Sequence, residues 1–154
     1  MTGAAERLSA LGLTLPPVTA PVAAYVPAVR TGAYVYVSGQ LPVADGKLAA
    51  TGKVGDEVSA EDAAGMARTC ALNALAAAAS VAGGLEGIRR IVKVTGFVAS
   101  APGFSGQPQV INGASELLIE VFGEDGKHAR SAIGVAELPL NAPVEVELIA
   151  EIRD

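Results

Sequence analysis

The last strand-like segment of this chain constrains its fold more than any other feature. Between residues 144 and 151, apolar residues at every second position alternate with mostly acidic ones. A period of two residues gives a strand one apolar face and one polar face. Glutamate is a poor strand residue, and like charges two positions apart on one face repel each other. We therefore expect at least one of Glu145, Glu147 and Glu151 to have a function.

A second strand is predicted just before this one, and Pro139 marks the turn between them. It carries Arg130, whose planar guanidinium suits a carboxylate. That carboxylate is either a bound acid or a structural partner, Glu145 or Glu147. Glu147 lies on the same strand face as Glu145. Its carboxylate is interpreted either as a charge exposed to solvent or as a charge in the interior of an assembly of several subunits.

Two blocks of sequence carry a family resemblance. Residues 128–139 read HARSAIGVAELP, ahead of the Val-Glu-Val-Glu strand, and residues 25–42 include Tyr-Val and Ser-Gly-Gln-Leu-Pro. Asn112 falls in a helix-like segment where that family usually has asparagine. From about Tyr25 to Ile152, the chain resembles the RidA family (YjgF/YER057c/UK114), in its longer-chain branch of the type called endoribonuclease L-PSP.

The resemblance implies a fold and an activity. The fold is an α+β, chorismate-mutase-like subunit that assembles as a homotrimer, with sites in the clefts between subunits. The activity is cofactor-free deamination, in which 2-imino or 2-enamino acids are hydrolysed to 2-oxo acids and ammonia. Arg130 would bind the substrate carboxylate, and Glu145 would position or activate the water. We expect these two groups, on adjacent C-terminal strands, to converge on one small hollow at a subunit boundary.

Five further positions complete the predicted site. Tyr25 closes the cleft or is a half-buried strand tyrosine, and Ser38 with Gly39 ends a strand where backbone can approach a ligand. Asn112 orders the site or a subunit contact, or belongs to the polar core. Ala132 stands where many family members have Cys or Thr, and would offer only backbone groups to a ligand.

Composition excludes several other classes of function. The net charge is −5, aromatic residues make up 4% of the chain and there is no Trp, so neither a basic phosphate-binding face nor stacking platforms for bases are expected. The segment 69–85 is uncharged but rich in alanine, which favours a buried helix over a membrane span. No signal peptide is recognised. We expect a cytoplasmic protein that contacts neither nucleic acid nor membrane.

No cofactor or metal is expected. Cys70 is the only cysteine, which excludes an intrachain disulfide, and its apolar neighbours indicate an inert buried thiol. His128 is the only histidine and is interpreted as a turn residue, with a lesser alternative in which it lines the cleft. P-loop, GxGxxG, HExxH and GxSxG patterns are absent from the sequence.

Local signals predict one domain, residues 1–154, with an N-terminal extension over residues 1–21. Ser59 is a helix cap and Gly83-Gly84 a helix stop. The expected order is strands, helix, strand, helix and two strands, in one sheet with both long helices on one face. The predicted elements are helices at 4–11, 60–82 and 108–122 and strands at 22–29, 34–38, 47–51 and 91–99, the last with Val92, Val94 and Val98 on one face.

Two rival functions remain open. The first is a trimer that binds small carboxylates without catalysis, which ligand-dependent thermal stabilisation without turnover would favour. The second is an endoribonuclease, a label often attached to the family. The acidic net charge and the scarcity of histidine and aromatic residues argue against it.

Overall fold

The alternating C-terminal segment forms the central strand of a five-stranded sheet. The computed structural model describes residues 2–21 and 23–154. The strand order is β1-β2-β7-β5-β6; neighbours are antiparallel except β5 and β6, which are parallel. The elements are α1 (Ala4–Ala10), β1 (Ala28–Thr31), β2 (Tyr34–Gln40), β3 (Val43–Ala44), β4 (Lys47–Leu48), α2 (Ala60–Ala82), β5 (Ile88–Ala99), α3 (Gln107–Phe122), β6 (Ala129–Val135) and β7 (Val144–Ile152).

The long helix α2 begins and ends where the sequence predicts. Ser59 Oγ accepts a hydrogen bond from the Asp62 backbone N–H at 3.1 Å, which satisfies one of the free donors of the first turn. Gly83 ends the helix with φ +80°, a left-handed conformation that glycine adopts without a Cβ penalty. Both signals are local, and both predicted boundaries are confirmed.

Helices α2 and α3 cover one face of the sheet, as predicted. The alternation along β7 places Val144, Val146, Leu148 and Ala150 under the helices, all nearly or fully buried. From α3, Ile111, Leu117, Leu118 and Val121 are buried against the same core. The N-terminal helix α1 joins this layer: its Leu8 is buried, and the Ala5 N–H donates to Glu86 Oε1 at 2.8 Å.

The other face of the sheet, here called the open face, has no helix on it among the residues that the structure describes. Large apolar side chains there are exposed: Val29, Tyr34, Tyr36 and Ile133 each leave 44–49% of their surface accessible. An apolar sheet face of this kind favours association. No helix among the described residues is long and apolar enough to cross a membrane.

Several predicted strands differ from the observed ones. β1 begins at Ala28 instead of residue 22, because residues 23–27 form bends that end at Pro27, and Val22 lies outside the described residues. The predicted strand at 47–51 ends at Leu48 and pairs only with β3, in a hairpin separate from the main sheet.

A bulge in β5 and the position of β6 are further corrections. The β5–β7 register shifts between Ile91 and Lys93; Ile91 and Val94 are both buried, so Val92 does not share their face. The last two strands are not adjacent. The parallel β5–α3–β6 unit places β6 beside β5, and β7 occupies the other side of β5.

Candidate active site

Arg130 lies on the edge strand β6, where its side chain reaches the underside of α3. Its Nη1 donates to Asn112 Oδ1 at 2.8 Å and to Ser115 Oγ at 3.2 Å, and its Nη2 donates to the Pro108 carbonyl at 3.4 Å. Within residues 2–21 and 23–154, no carboxylate lies within ion-pair distance of this guanidinium. The alternative of a structural ion pair with Glu145 or Glu147 is therefore wrong for the single chain.

His128 continues the polar contacts behind Arg130. Its Nε2 lies 2.9 Å from Ser115 Oγ, and its Nδ1 lies 2.6 Å from the Gly126 carbonyl oxygen. Desolvation lowers the pKa of His128, and the nearby Arg130 charge lowers it further. His128 and Arg130 line one cavity of about 230 Å³ with Ser115 and Lys127. His128 lies between the turn at residues 123–126 and the start of β6, in agreement with a turn residue, and its ring also lines this cavity.

Sequence reasoning missed Ser115 as a partner of Arg130. A serine in the middle of a helix carries little signal alone. Its spacing from Asn112 was the available clue, because residues i and i+3 share one face of a helix.

Glu145 is half-buried on β7 and faces away from the helices. Desolvation raises the pKa of its carboxyl group, and the charge of Glu147 raises it further. The carboxylate lies directly against the Cα of Gly39, in the space that a Cβ at residue 39 would occupy. Gly39 lies within the irregularity in the β2–β7 register between Val37 and Gln40, which opens this approach.

Tyr25 and Ser38 accompany Gly39. Ser38 Oγ donates to the Val26 carbonyl at 2.7 Å, which ties the segment beside Tyr25 to the end of β2. Tyr25 is 50% exposed and lies in a bend before β1, so the alternative of a strand tyrosine is wrong. Tyr25 and Gly39 line an apolar cavity of about 120 Å³, whose walls include Pro21, Pro27, Leu41, Val43 and Leu140.

Ser38 and Glu147 line a third cavity, on the open face. It has a volume of about 260 Å³ and is also lined by Val29, Tyr36, Lys93, Thr95 and Ile149. Glu147 therefore faces the same side of the sheet as Glu145, as the two-residue period predicts.

The structure does not bring Arg130 and Glu145 together within one chain. Arg130 is level with Val94 of β5, whereas Glu145 is level with Phe97, three residues farther along that strand. An odd number of residues places the two side chains on opposite faces of the sheet. The predicted convergence on adjacent strands is wrong for a single chain, because β5 lies between β6 and β7.

The predicted site residues thus form two groups. The arginine group comprises Arg130, Asn112 and Ala132, with Ala132 two positions after Arg130 on the same side of β6 and partly buried against the core. The glutamate group comprises Glu145, Gly39, Ser38 and Tyr25.

No cluster suited to a metal ion occurs among the described residues. Burial raises the pKa of the Cys70 thiol well above its usual value, which leaves it protonated and unreactive.

Comparisons with known proteins agree with this architecture. The family model described as "YjgF/chorismate mutase-like, putative endoribonuclease" matches residues 5–152. Protein TCP17 of Trypanosoma cruzi is 42% identical over 151 residues, which are 97% of this chain and 94% of that protein.

Two solved structures are similar. The Agrobacterium tumefaciens protein Atu1372, of unknown function, is 50% identical with a TM-score of 0.89, over 97% of this chain and 92% of that one. Escherichia coli TdcF with bound serine is 28% identical with a TM-score of 0.60, over 91% and 94% of the two chains. Since the family model spans nearly the whole chain, the protein belongs to the YjgF family, also called RidA.

Proposed function

We propose that this protein is an enamine/imine deaminase that hydrolyses reactive 2-imino or 2-enamino acids to 2-oxo acids and ammonia without a cofactor. Its site would be shared between two copies in a homotrimer, with the arginine group from one copy and the glutamate group from its neighbour. One observation carries the proposal: the described part of each chain holds a guanidinium without a carboxylate partner and a half-buried carboxylate, on opposite faces of one sheet.

The contacts of Arg130 support carboxylate binding. Both Nη1 hydrogens and one Nη2 hydrogen have oxygen acceptors, and within the described residues Nε and the second Nη2 hydrogen have none. A guanidinium held on one side, with donors free on the other, is preorganised for a planar acid. Because no protein carboxylate neutralises it in the described part of the chain, a substrate acid would supply the counter-charge.

The environment of Glu145 supports proton transfer. In imine hydrolysis, the oxygen of water bonds to the C=N carbon while one proton of the water passes to the nitrogen. The carbinolamine hydroxyl then gives up the second proton to the nitrogen as the C–N bond breaks, so that ammonia departs and the 2-oxo acid remains. A carboxylate with a raised pKa can accept the proton of the water and then return it to the nitrogen. Gly39 leaves the Glu145 carboxylate room at the end of β2, next to the apolar cavity that Tyr25 lines.

The open face supports assembly. Its exposed side chains, Val29, Tyr34, Tyr36 and Ile133, would be buried if copies of the chain packed there. Strand β6 is an edge strand, so Arg130 and the free backbone edge of β6 remain available to a neighbouring copy or a ligand. In a cyclic arrangement, the edge of one copy meets the open face of the next, and each boundary then holds one complete site.

A small ligand is consistent with the ligand that one relative binds. TdcF is described with serine bound, and a 2-imino acid shares the carboxylate and adjacent nitrogen of an amino acid. This likeness supports a small, amino-acid-derived substrate for the present chain.

The test is direct. Purified protein is incubated with 2-iminobutanoate released by an L-amino-acid oxidase, and formation of the 2-oxo acid is followed against the spontaneous reaction. We expect acceleration by wild-type protein, and loss of at least about 100-fold in Arg130→Ala and Glu145→Gln. Arg68→Ala is the matched control, because Arg68 pairs with Glu120 on the helix surface.

Absence of acceleration, or full activity in Arg130→Ala, would reject the proposal. If small carboxylates raised the Tm of the wild-type protein and no imine were turned over, a non-catalytic binding trimer would replace it.

A further inference from the structure

A directional chain of hydrogen bonds ends on Arg130. It runs from the Gly126 carbonyl through His128 and Ser115 to Arg130 Nη1, with heavy-atom distances of 2.6, 2.9 and 3.2 Å. Ser115 is buried with 8% of its surface exposed, so its hydroxyl has few alternative partners.

The direction of each bond follows from the available protons. A carbonyl oxygen only accepts, so His128 Nδ1 must carry the hydrogen that faces Gly126. In neutral His128, Nε2 is then an acceptor, and the Ser115 hydroxyl must donate to it. With its hydrogen directed at His128, the Ser115 oxygen turns its lone pairs toward Arg130.

We propose that Ser115 and His128 are positioning residues for Arg130, which hold its guanidinium so that the free edge meets a substrate carboxylate. This inference rests on the proposed role of Arg130 in binding the substrate acid. Neither residue touches the reacting atoms. They act through the orientation of Arg130, and a side chain as flexible as arginine binds a ligand more tightly when it is already ordered.

The surroundings favour the neutral form of His128, on which this chain of bonds is built. Desolvation lowers its pKa, and Arg130 lowers it further, whereas the hydrogen bond to Gly126 opposes both. Among the charged and titratable groups in the two cavities that His128 lines, three are basic, Lys127, Arg130 and Arg90, and the other two are Tyr34 and Glu151. Glu151 is engaged by Arg89 at 3.3 Å.

Substitutions at both positions test the inference. Ser115→Ala removes the acceptor, and we expect the Kd for 2-oxobutanoate and the KM for 2-iminobutanoate to rise about 5- to 10-fold. The kcat should change less than about twofold, because Arg130 binds the acid and does not move protons. His128→Gln keeps an uncharged acceptor for Ser115, and its affinity for 2-oxobutanoate should stay within about twofold of wild type. The affinity of His128→Leu should lie between those of His128→Gln and Ser115→Ala.

Two further measurements separate orientation from a merely structural role. In the Arg130→Ala background, Ser115→Ala should have no further effect on the Kd for 2-oxobutanoate, because its effect passes through the guanidinium. The ¹⁵N spectrum of His128 at pH 7 should show a protonated Nδ1 and an unprotonated Nε2. Ser80→Ala is the matched control, since Ser80 Oγ bonds only to the Ala77 carbonyl in the described structure.

The outcomes distinguish this inference from the proposed function. Binding of 2-oxobutanoate that depends on Arg130 and Ser115, without turnover, rejects the deaminase and keeps the inference. Three results overturn the inference and leave the deaminase intact. The first is turnover by Ser115→Ala with an unchanged KM, and the second is an equal effect of Ser115→Ala on the Kd in the Arg130→Ala background. The third is a protonated Nε2 on neutral His128. Failure of the wild-type protein both to bind 2-oxobutanoate and to hydrolyse 2-iminobutanoate overturns both.

Discussion

Arg130 and Glu145 lie on opposite faces of one sheet, with strand β5 between their strands. Their Cα positions differ by three residues along β5 and two strand spacings across it, or about 10 Å in each direction. A small acid cannot contact both side chains of one chain through a packed sheet. Any reaction that uses both therefore requires two copies.

Mixed assemblies of two inactive variants should regain activity if each site takes Arg130 from one copy and Glu145 from its neighbour. Arg130→Ala and Glu145→Gln chains, each inactive alone, are unfolded together, refolded and assayed for imine hydrolysis. With random mixing, about a quarter of the subunit boundaries combine an intact Arg130 with an intact Glu145, so we expect about a quarter of wild-type activity.

The same mixture prepared without unfolding should stay inactive until subunits exchange. If the refolded mixture were as inactive as its parents, while wild-type protein refolded to full activity, the shared site would be wrong.

The sequence predicts those features of this chain that local chemistry determines. The boundaries of α2 follow from the Ser59 cap and the left-handed Gly83, and the buried face of β7 follows from its two-residue period. Both depend on residues within a few positions of one another.

Features that depend on distant parts of the chain could not be predicted in this way. The partners of Arg130 on α3 are 15 to 22 positions away, and they become neighbours only because the β5–α3–β6 unit folds α3 over β6. The Val92 bulge arises from the pairing of β5 with β7, whose paired residues beside the bulge lie more than 50 positions apart in the sequence. Strand order separated Arg130 from Glu145, and neither residue carries a local signal of that order.

Glu145→Gln should stabilise the fold at neutral pH while it removes activity. Desolvation and the charge of Glu147 raise the pKa of Glu145 in the folded state above its value in the unfolded state. The stability that protonated Glu145 contributes is therefore fully present below the unfolded-state pKa and is lost as the pH rises through the folded-state pKa. Glutamine does not ionise and avoids this loss. We expect a Tm about 1–2 °C above wild type at pH 7.5, and a difference that vanishes below pH 4.

Thermal unfolding from pH 3.5 to 8 measures this difference. Glu137→Gln is the control, because Glu137 is exposed and its weak pair with Lys53 should leave the Tm nearly constant. A glutamine variant at residue 145 that is less stable than wild type at pH 7.5 would show that the carboxylate is stabilised by a partner.

Gly39→Ala should impair catalysis more than folding. A Cβ at residue 39 would occupy the space of the Glu145 carboxylate, which must then move. Since displacement of a catalytic group by about 1 Å costs on the order of 100-fold in rate, we expect a comparable fall in kcat. Steady-state kinetics of imine hydrolysis gives the value.

Gly65→Ala is the matched control for this change. Gly65 lies on α2 with open space around its Cα, so alanine should leave kcat unchanged and stabilise the fold by about 0.4–1 kcal/mol. An unaltered kcat in Gly39→Ala would mean that the position of the Glu145 carboxylate does not limit the reaction.

Asn73 and Asn112 should separate stability from binding. Asn73 is buried on α2, and its Nδ2 donates to the Leu41 and Val43 carbonyls at 3.0 and 2.9 Å, next to the cavity that Tyr25 lines. Asn73→Ala leaves both carbonyls without this donor and should cost about 2 kcal/mol, or roughly 4–8 °C in Tm.

Asn112 is exposed on α3, and its Oδ1 accepts from Arg130. Asn112→Ala should shift the Tm by no more than about 1–2 °C and raise the Kd for 2-oxobutanoate about 5- to 10-fold. Differential scanning calorimetry and isothermal titration calorimetry on the same samples give both quantities. A large fall in Tm for Asn112→Ala with unchanged affinity would assign that asparagine to the fold, because the guanidinium would then bind acids equally well without it.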